Sequence, residues 1–125
     1  MTNYQVGDFL IRLKNASMAG IKEVVFPKTN LVAAVAKTLK AEGFLDSVTE
    51  EDKNLVVTLS IFAKKPVLTN VKIVSKPGLR IYVNVDEIEK MKTPETLIIS
   101  TPKGVMSGME AKKKRLGGEL IAKVI

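Results

Sequence analysis

The sequence predicts an α+β fold in two small lobes. Three observations carry this: long helix-period apolar spacing confined to the residues before Gly43, period-two alternation after it, and turn-forming Pro and Gly residues dividing the remainder. The first lobe, residues 1–63, reads as αβαββ. The second, residues 64–125, reads as mainly β with short helices.

Val6, Phe9, Leu10 and Leu13 follow i, i+3, i+4, i+7 spacing and predict a helix over residues 3–17, with Asp8 and Arg12 placed to pair on its exposed side. Val24-Val25-Phe26 predicts a strand stopped by Pro27. Thr29 or Asn30 can cap a second helix that buries Leu31, Val32, Val35 and Leu39 and ends at Gly43. Residues 44–48 and 55–61 predict an antiparallel pair across an acidic loop, with Leu55, Val57, Leu59 and Ile61 on the packed face. Ala63-Lys64-Lys65-Pro66 breaks the apolar alternation and is the expected junction between lobes.

Beyond it, strands are expected at residues 71–74 and 80–83, then an acidic turn or helix at 86–91, and strands at 97–101 and 105–106. Ser107 and Glu110 have capping-box spacing, which predicts a short helix through Lys112, Lys113, Lys114 and Arg115 that Gly117 terminates. A closing strand runs over residues 119–124. No internal repeat is present.

Composition removes several classes of function. With no Cys and no His, the chain has no disulfide, no thiol nucleophile, no zinc-thiolate site and no imidazole base. No glycine-rich nucleotide fingerprint or phosphate-loop Gly-Lys-Ser/Thr pattern occurs, so neither a cofactor nor a metal is expected. Ser100 and Lys103 satisfy Ser-x-x-Lys, the pattern of penicillin-recognising enzymes, but Pro102 and Gly104 point to a strand-turn-strand instead of the helix turn that chemistry needs. The longest apolar run, Leu31 to Ala36, falls far short of the roughly 20 residues that span a bilayer. A cytoplasmic protein with no membrane partner is expected.

Charge separates the two halves. Residues 1–63 carry seven Lys/Arg against seven Asp/Glu, whereas residues 64–125 carry thirteen against six and hold the entire net charge of +7. The second half is therefore the side expected to meet a polyanion.

In that half, Thr101-Pro102-Lys103-Gly104 reads as a type I turn between apolar strands, because Pro suits the second position and Gly the fourth. It would hold Ser100, Thr101 and Lys103 on short, stiff backbone. Gly104 either ends the turn or lets the backbone approach a ligand closely. Upstream, Lys76-Pro77-Gly78 forms a turn feeding a strand on which period two puts Arg80 and Tyr82 on one face. Tyr82 can stack on a base or lie half-buried with its hydroxyl satisfied.

Lys-Pro-Gly-Leu-Arg-Ile-Tyr over 76–82, Ser-Thr-x-Lys-Gly-Val-Met over 100–106 and Gly-Gly-Glu over 117–119 closely resemble the bacterial eighth small-subunit ribosomal protein family. The resemblance implies a structural, non-enzymatic protein that binds the central domain of small-subunit rRNA. It also implies contact with neighbouring ribosomal proteins and allows binding to its own operon mRNA. It assigns RNA contact to Ser100, Thr101, Lys103 and Gly104, with Pro102 standing where the family usually has a second serine. The same resemblance points to Lys76, Arg80 and Tyr82, and to Glu119, which could otherwise be an ordinary exposed glutamate at a strand start. Lys112 and Lys113 would meet phosphate. Secondary contacts are implied for Arg12, Lys14, Asn15, Lys28 and Thr29, each also readable as a solvated residue on an amphipathic element.

Overall fold

The computed structural model describes residues 5–91 and 94–125. Helix α1 (Gln5–Ala19) buries Val6, Phe9, Leu10 and Leu13 as its spacing requires; Asn3 and Tyr4, also expected in it, lie outside the described residues. Strand β1 (Glu23–Pro27) alternates cleanly, with Val24 and Phe26 inward. Helix α2 (Asn30–Ala41) is capped by Thr29, whose hydroxyl accepts the Val32 N–H at 3.1 Å. Leu31 is exposed, correcting the expected buried face; that face runs instead through Val32, Val35, Ala36 and Leu39.

Strands β2 (Leu45–Glu51) and β3 (Asn54–Leu59) join β1 in a sheet ordered β1-β3-β2. The expected acidic loop is mostly strand: only Asp52 and Lys53 turn, with Asp52 at φ 58°, a left-handed conformation Asp tolerates. Ile61 is exposed and not on the packed face, because the sheet strand stops at Leu59 and the chain leaves in a separate hairpin. That hairpin, β4 (Ile61–Phe62) and β5 (Lys65–Pro66), occupies the expected junction.

The second sheet contains β6 (Val71–Ile73), β7 (Tyr82–Val83), β8 (Thr96–Thr101), β9 (Gly104–Ser107) and β10 (Gly118–Val124). Its order is β6-β10-β8-β9, with β7 pairing β10 beside β6. Helix α3 (Val85–Lys90) starts from a full capping box between Asn84 and Glu87. Helix α4 (Gly108–Lys113) is capped by Ser107. It ends earlier than expected: Lys114 is the cap and Arg115 takes φ 53°, so Gly117 is not the terminator.

Strand β8 is buried on both faces. Ile98 joins a core cluster with Phe9, Leu10, Val35, Leu39 and Leu55, whereas Leu97 and Ile99 join a second cluster with Val83, Ile88, Met106, Ala111 and Leu120. The larger core thus runs from the N-terminal helices into the second sheet. Two hydroxyls reinforce the contact: Ser17 donates to the Leu68 carbonyl, and Thr38 lies within reach of the Ala34 and Val105 carbonyls at 2.9 and 3.2 Å.

Strand β10 changes the face it buries. Its pairing with β8 shifts between Leu120 and Ala122, so Ile121 is an extra, bulged residue. Leu120 packs in the second cluster, while Ile121, Ala122 and Val124 pack in the first. Beside this bulge, the fully buried Ser75 donates to the Leu120 carbonyl at 2.7 Å and accepts the Ile81 N–H at 3.0 Å. One hydroxyl therefore ties β10 to the segment leading into β7.

Ser75→Ala leaves the buried Leu120 carbonyl and the partly buried Ile81 amide short of a partner, and should lower stability by about 1–3 kcal/mol. Urea unfolding of the two proteins at equal temperature measures this. A loss below a few tenths of a kcal/mol would show that the hydroxyl is dispensable.

Candidate RNA-binding face

The register of the second sheet builds the site. Glu119 on β10 lies opposite Tyr82 on β7 and Ser100 on β8. Directly opposed residues share a face, so Tyr82, Glu119 and Ser100 stand in one row across three strands. Ser100 has the same parity as Ile98, whose side chain covers the larger core. The face that is interior at Ile98 thus opens towards solvent at Ser100.

Arg80, just before β7, joins the row through a contact between its Nη1 and Glu119 Oε2 at 3.1 Å. The expected common face for Arg80 and Tyr82 is realised through Glu119, although β7 begins only at Tyr82. Tyr82 is 67% exposed, so it is not the half-buried packing residue it could have been. Glu119 is partly covered, and it orients a guanidinium across the sheet. A carboxylate and a guanidinium each carry more hydrogen-bonding positions than one such contact uses.

The hairpin tip extends the row. Neither Pro102 nor Lys103 has positive φ while Gly104 sits at +118°, as a type I turn followed by a glycine requires. Pro102, Lys103 and Gly104 are exposed, and Ser100 is partly exposed. Thr101 differs from expectation. It is only 8% exposed, and its hydroxyl donates to the Gly104 carbonyl at 2.7 Å while accepting the Lys103 N–H at 3.2 Å. Adjacent strand residues point to opposite faces, so Ser100 and Thr101 cannot both be displayed on the open side. Thr101 stiffens the tip; Ser100 and Lys103 are what it presents.

Two glycines hold the row together. A Cβ on Gly118 would lie 2.0 Å from the Ser100 carbonyl oxygen, and one on Gly117 would lie 2.6 Å from the Val83 carbonyl oxygen. Only glycine lets β10 come this near β7 and β8. The doublet was legible as a motif, but its role required knowing which strands flank it. Ser75 carried no comparable signal.

The other cations are distributed around this face. Lys76 is exposed at the start of a closed turn, Lys76-Pro77-Gly78-Leu79, with both cross-turn backbone bonds at 2.9 Å and Gly78 at φ 83°. Lys112 and Lys113 are exposed on α4, off the row, and make no ion pair with a described residue. Lys114 is engaged with Glu110 at 3.1 Å.

Of the residues expected to make secondary contacts, Arg12, Lys28 and Thr29 have structural duties at or beside the other sheet. Arg12 does not pair with Asp8. Its Nη1 donates to the Val25 carbonyl at 3.1 Å and its guanidinium lies 5.2 Å from the Phe26 ring centre. Thr29 is occupied as the cap of α2, and Lys28 contacts Glu50 at 3.1 Å. The hydrogen bond and charge of Lys28 hold the Glu50 carboxyl below its usual range, with Lys37 assisting. Asn15 is exposed and Lys14 partly so.

A row of serine, arginine, glutamate and tyrosine beside a lysine-tipped hairpin, on the cationic half of a small α+β protein, offers the short hydrogen-bonding groups and positive charge that RNA contact uses. The family described as Ribosomal protein S8 matches residues 5–125, and the chain belongs to it. It is 39% identical to the small ribosomal subunit protein uS8 of Nitratidesulfovibrio vulgaris (strain DP4), with 95% of each chain covered. It is 42% identical to that of Mycoplasmopsis synoviae (strain 53), over 94% of this chain and 93% of the relative. For Roseiflexus castenholzii (strain DSM 13941 / HLO8) the figures are 40%, 98% and 97%. The chain is a protein of the small ribosomal subunit, and none of its described helices is long and apolar enough to cross a membrane.

Gly118→Ala must part β10 from β8 and should lower stability by about 1–3 kcal/mol, as overpacking does; thermal unfolding reads it, and an unchanged midpoint would refute the close-approach argument. Glu50 should titrate below an ordinary glutamate, so its share of stability is complete above the unfolded-state pKa and is lost as pH falls through the lower folded value. Carboxyl NMR titration should show that depression shrinking in Lys28→Ala.

Proposed function

We propose that the chain clamps an irregular helix in the central domain of small-subunit rRNA through the open row of Tyr82, Glu119, Ser100 and Arg80 together with the Lys103 tip. On this reading residues 64–125 are the RNA-binding lobe and residues 1–63 a largely neutral α/β lobe. The observation that carries it is the alignment of Tyr82, Glu119 and Ser100 across three strands, next to a rigid turn and within the half that holds all the excess positive charge.

An RNA helix presents 2′-hydroxyls and base edges in its shallow groove, where short polar groups on a stiff edge fit better than long flexible ones. Ser100 can donate and accept there. Its hydroxyl has no partner among the described residues. Tyr82 offers a ring for stacking, and the Arg80-Glu119 pair offers a fixed donor beside a fixed acceptor. Lys103, Lys76, Lys112 and Lys113 supply phosphate contacts and counterion release. Gly104 permits close backbone approach. Pro102 trades the hydroxyl and N–H of the family serine for stiffness.

The supporting role of Thr101 is to shape the tip. Arg12, Lys14, Asn15, Lys28 and Thr29 form a secondary surface, on which Arg12 and Lys28 must keep their protein partners while touching RNA. Neighbouring small-subunit proteins complete the setting, in the cytoplasmic ribosome. A structured operon mRNA that imitates the rRNA site would occupy the same row.

The test is titration of a central-domain rRNA fragment and of a random duplex of equal length across salt. The fragment should bind far more tightly. Lys103→Ala should reduce the slope of log affinity against log salt by about 0.9, the value for one phosphate contact. Ser100→Ala should cost about 1 kcal/mol on the fragment and nothing on the duplex. Equal affinity for fragment and duplex would defeat the proposal, and competition by the operon transcript would show whether both RNAs share the surface.

A further inference from the structure

We propose that the β4-β5 hairpin, with the exposed end of α1, is a finger that inserts into a neighbouring small-subunit protein, one offering an apolar groove rimmed by carboxylates. The proposal rests on the chain's membership of a ribosomal family and uses none of the residues of the RNA-binding face.

The hairpin is apolar on both sides. Ile61 opposes Pro66 and Phe62 opposes Lys65, so Ile61 and Phe62 point in opposite directions, yet they are 50% and 77% exposed. The last turn of α1 and the residues just after it add Met18, 73% exposed, and Ile21, 55% exposed. Two backbone hydrogen bonds and one from a side chain bring these segments together. The Leu59 N–H donates to the Lys22 carbonyl at 2.8 Å, the Val67 N–H donates to the Ser60 carbonyl at 2.9 Å, and Ser17 donates to the Leu68 carbonyl. Scattered exposed apolar residues need no explanation, whereas a cluster on a projecting hairpin marks an interaction site.

The tip is built at a cost. Ala63 and Lys64 both take positive φ, 53° and 66°, without a glycine or asparagine between them. Such strain on an exposed surface hairpin points to a shape kept for a partner.

Charge identifies that partner's rim. Lys22, Lys64 and Lys65 surround the apolar residues, are exposed, and form no ion pair with a described residue. Residues 59–72 contain no Asp or Glu. A second copy of this chain would set the same lysines against one another. RNA would satisfy them, but Met18, Ile21 and Ile61 have neither a ring to stack nor a group to hydrogen-bond, and would lie unmatched against nucleotides. A protein groove with acidic edges matches both features.

The test replaces Phe62 with the photo-reactive benzoylphenylalanine in the full chain, assembles it into small subunits, and sequences the crosslink. Crosslinking to one ribosomal protein at a segment containing Asp or Glu supports the proposal. A crosslink to rRNA, to a protein segment without carboxylates, or to nothing in the subunit overturns it. In parallel, Phe62→Ser, checked for an unchanged unfolding midpoint, should reduce retention of the chain in salt-washed subunits about tenfold. Its affinity for the isolated central-domain rRNA fragment should stay within about twofold of the parent. Unchanged retention, or an equal loss on the fragment, refutes the finger. Because the fragment assay reads the RNA-binding face independently, failure of either reading is visible without the other.

Discussion

The close approach of Gly118 to Ser100 is the constraint on which the proposed RNA-binding face rests. With a Cβ-sized gap already filled by the Ser100 carbonyl, β10 can lie against β8 and β7 only as glycine at that point. That contact sets the register of the next residue, Glu119, between Tyr82 and Ser100. One residue further, Leu120 is in the second core cluster, and the bulge at Ile121 then turns the strand into the first. The surface and the core are therefore fixed by the same few residues of one strand. Ser75 secures the arrangement from the other side, with a hydroxyl that serves both Leu120 and Ile81.

Charge is used differently in the two halves. In the neutral half, Arg12 braces β1 and Lys28 binds Glu50, so the cations are partly consumed in holding the fold. In the basic half, Lys76, Lys103, Lys112 and Lys113 remain exposed with no ion pair among the described residues, while Arg80 is aimed by Glu119. A surface of this kind combines long-range attraction with a few fixed hydrogen-bonding groups. Attraction alone would not discriminate one RNA from another, and fixed groups alone would bind weakly.

Thr101 shows how a rigid tip is obtained. Its hydroxyl closes the turn from within, bonding across to Gly104 and back to Lys103. The proline at position 102 limits the same backbone from outside. Ser100 is left as the displayed hydroxyl, and the alternation of a strand explains why only one of the two neighbours can take that role.

Much of this was legible in the chain before any coordinates. Apolar spacing set α1 and α2, the Thr29-Asn30 pair and the Ser107 cap marked helix starts, and Pro77-Gly78 and Pro102 to Gly104 marked turns, because each rests on interactions a few residues long. Charge counting found the basic half, and the three motifs led to the family. Strand pairing decided the rest. The Tyr82-Glu119-Ser100 row, the tie made by Ser75, the need for Gly118 and the diversion of Arg12 to Phe26 all join residues distant in the chain. No local pattern encodes which strand will lie beside which, and it is that adjacency, set by burying Ile98 and Ile99 on opposite faces of β8, that turned separate residues into one surface.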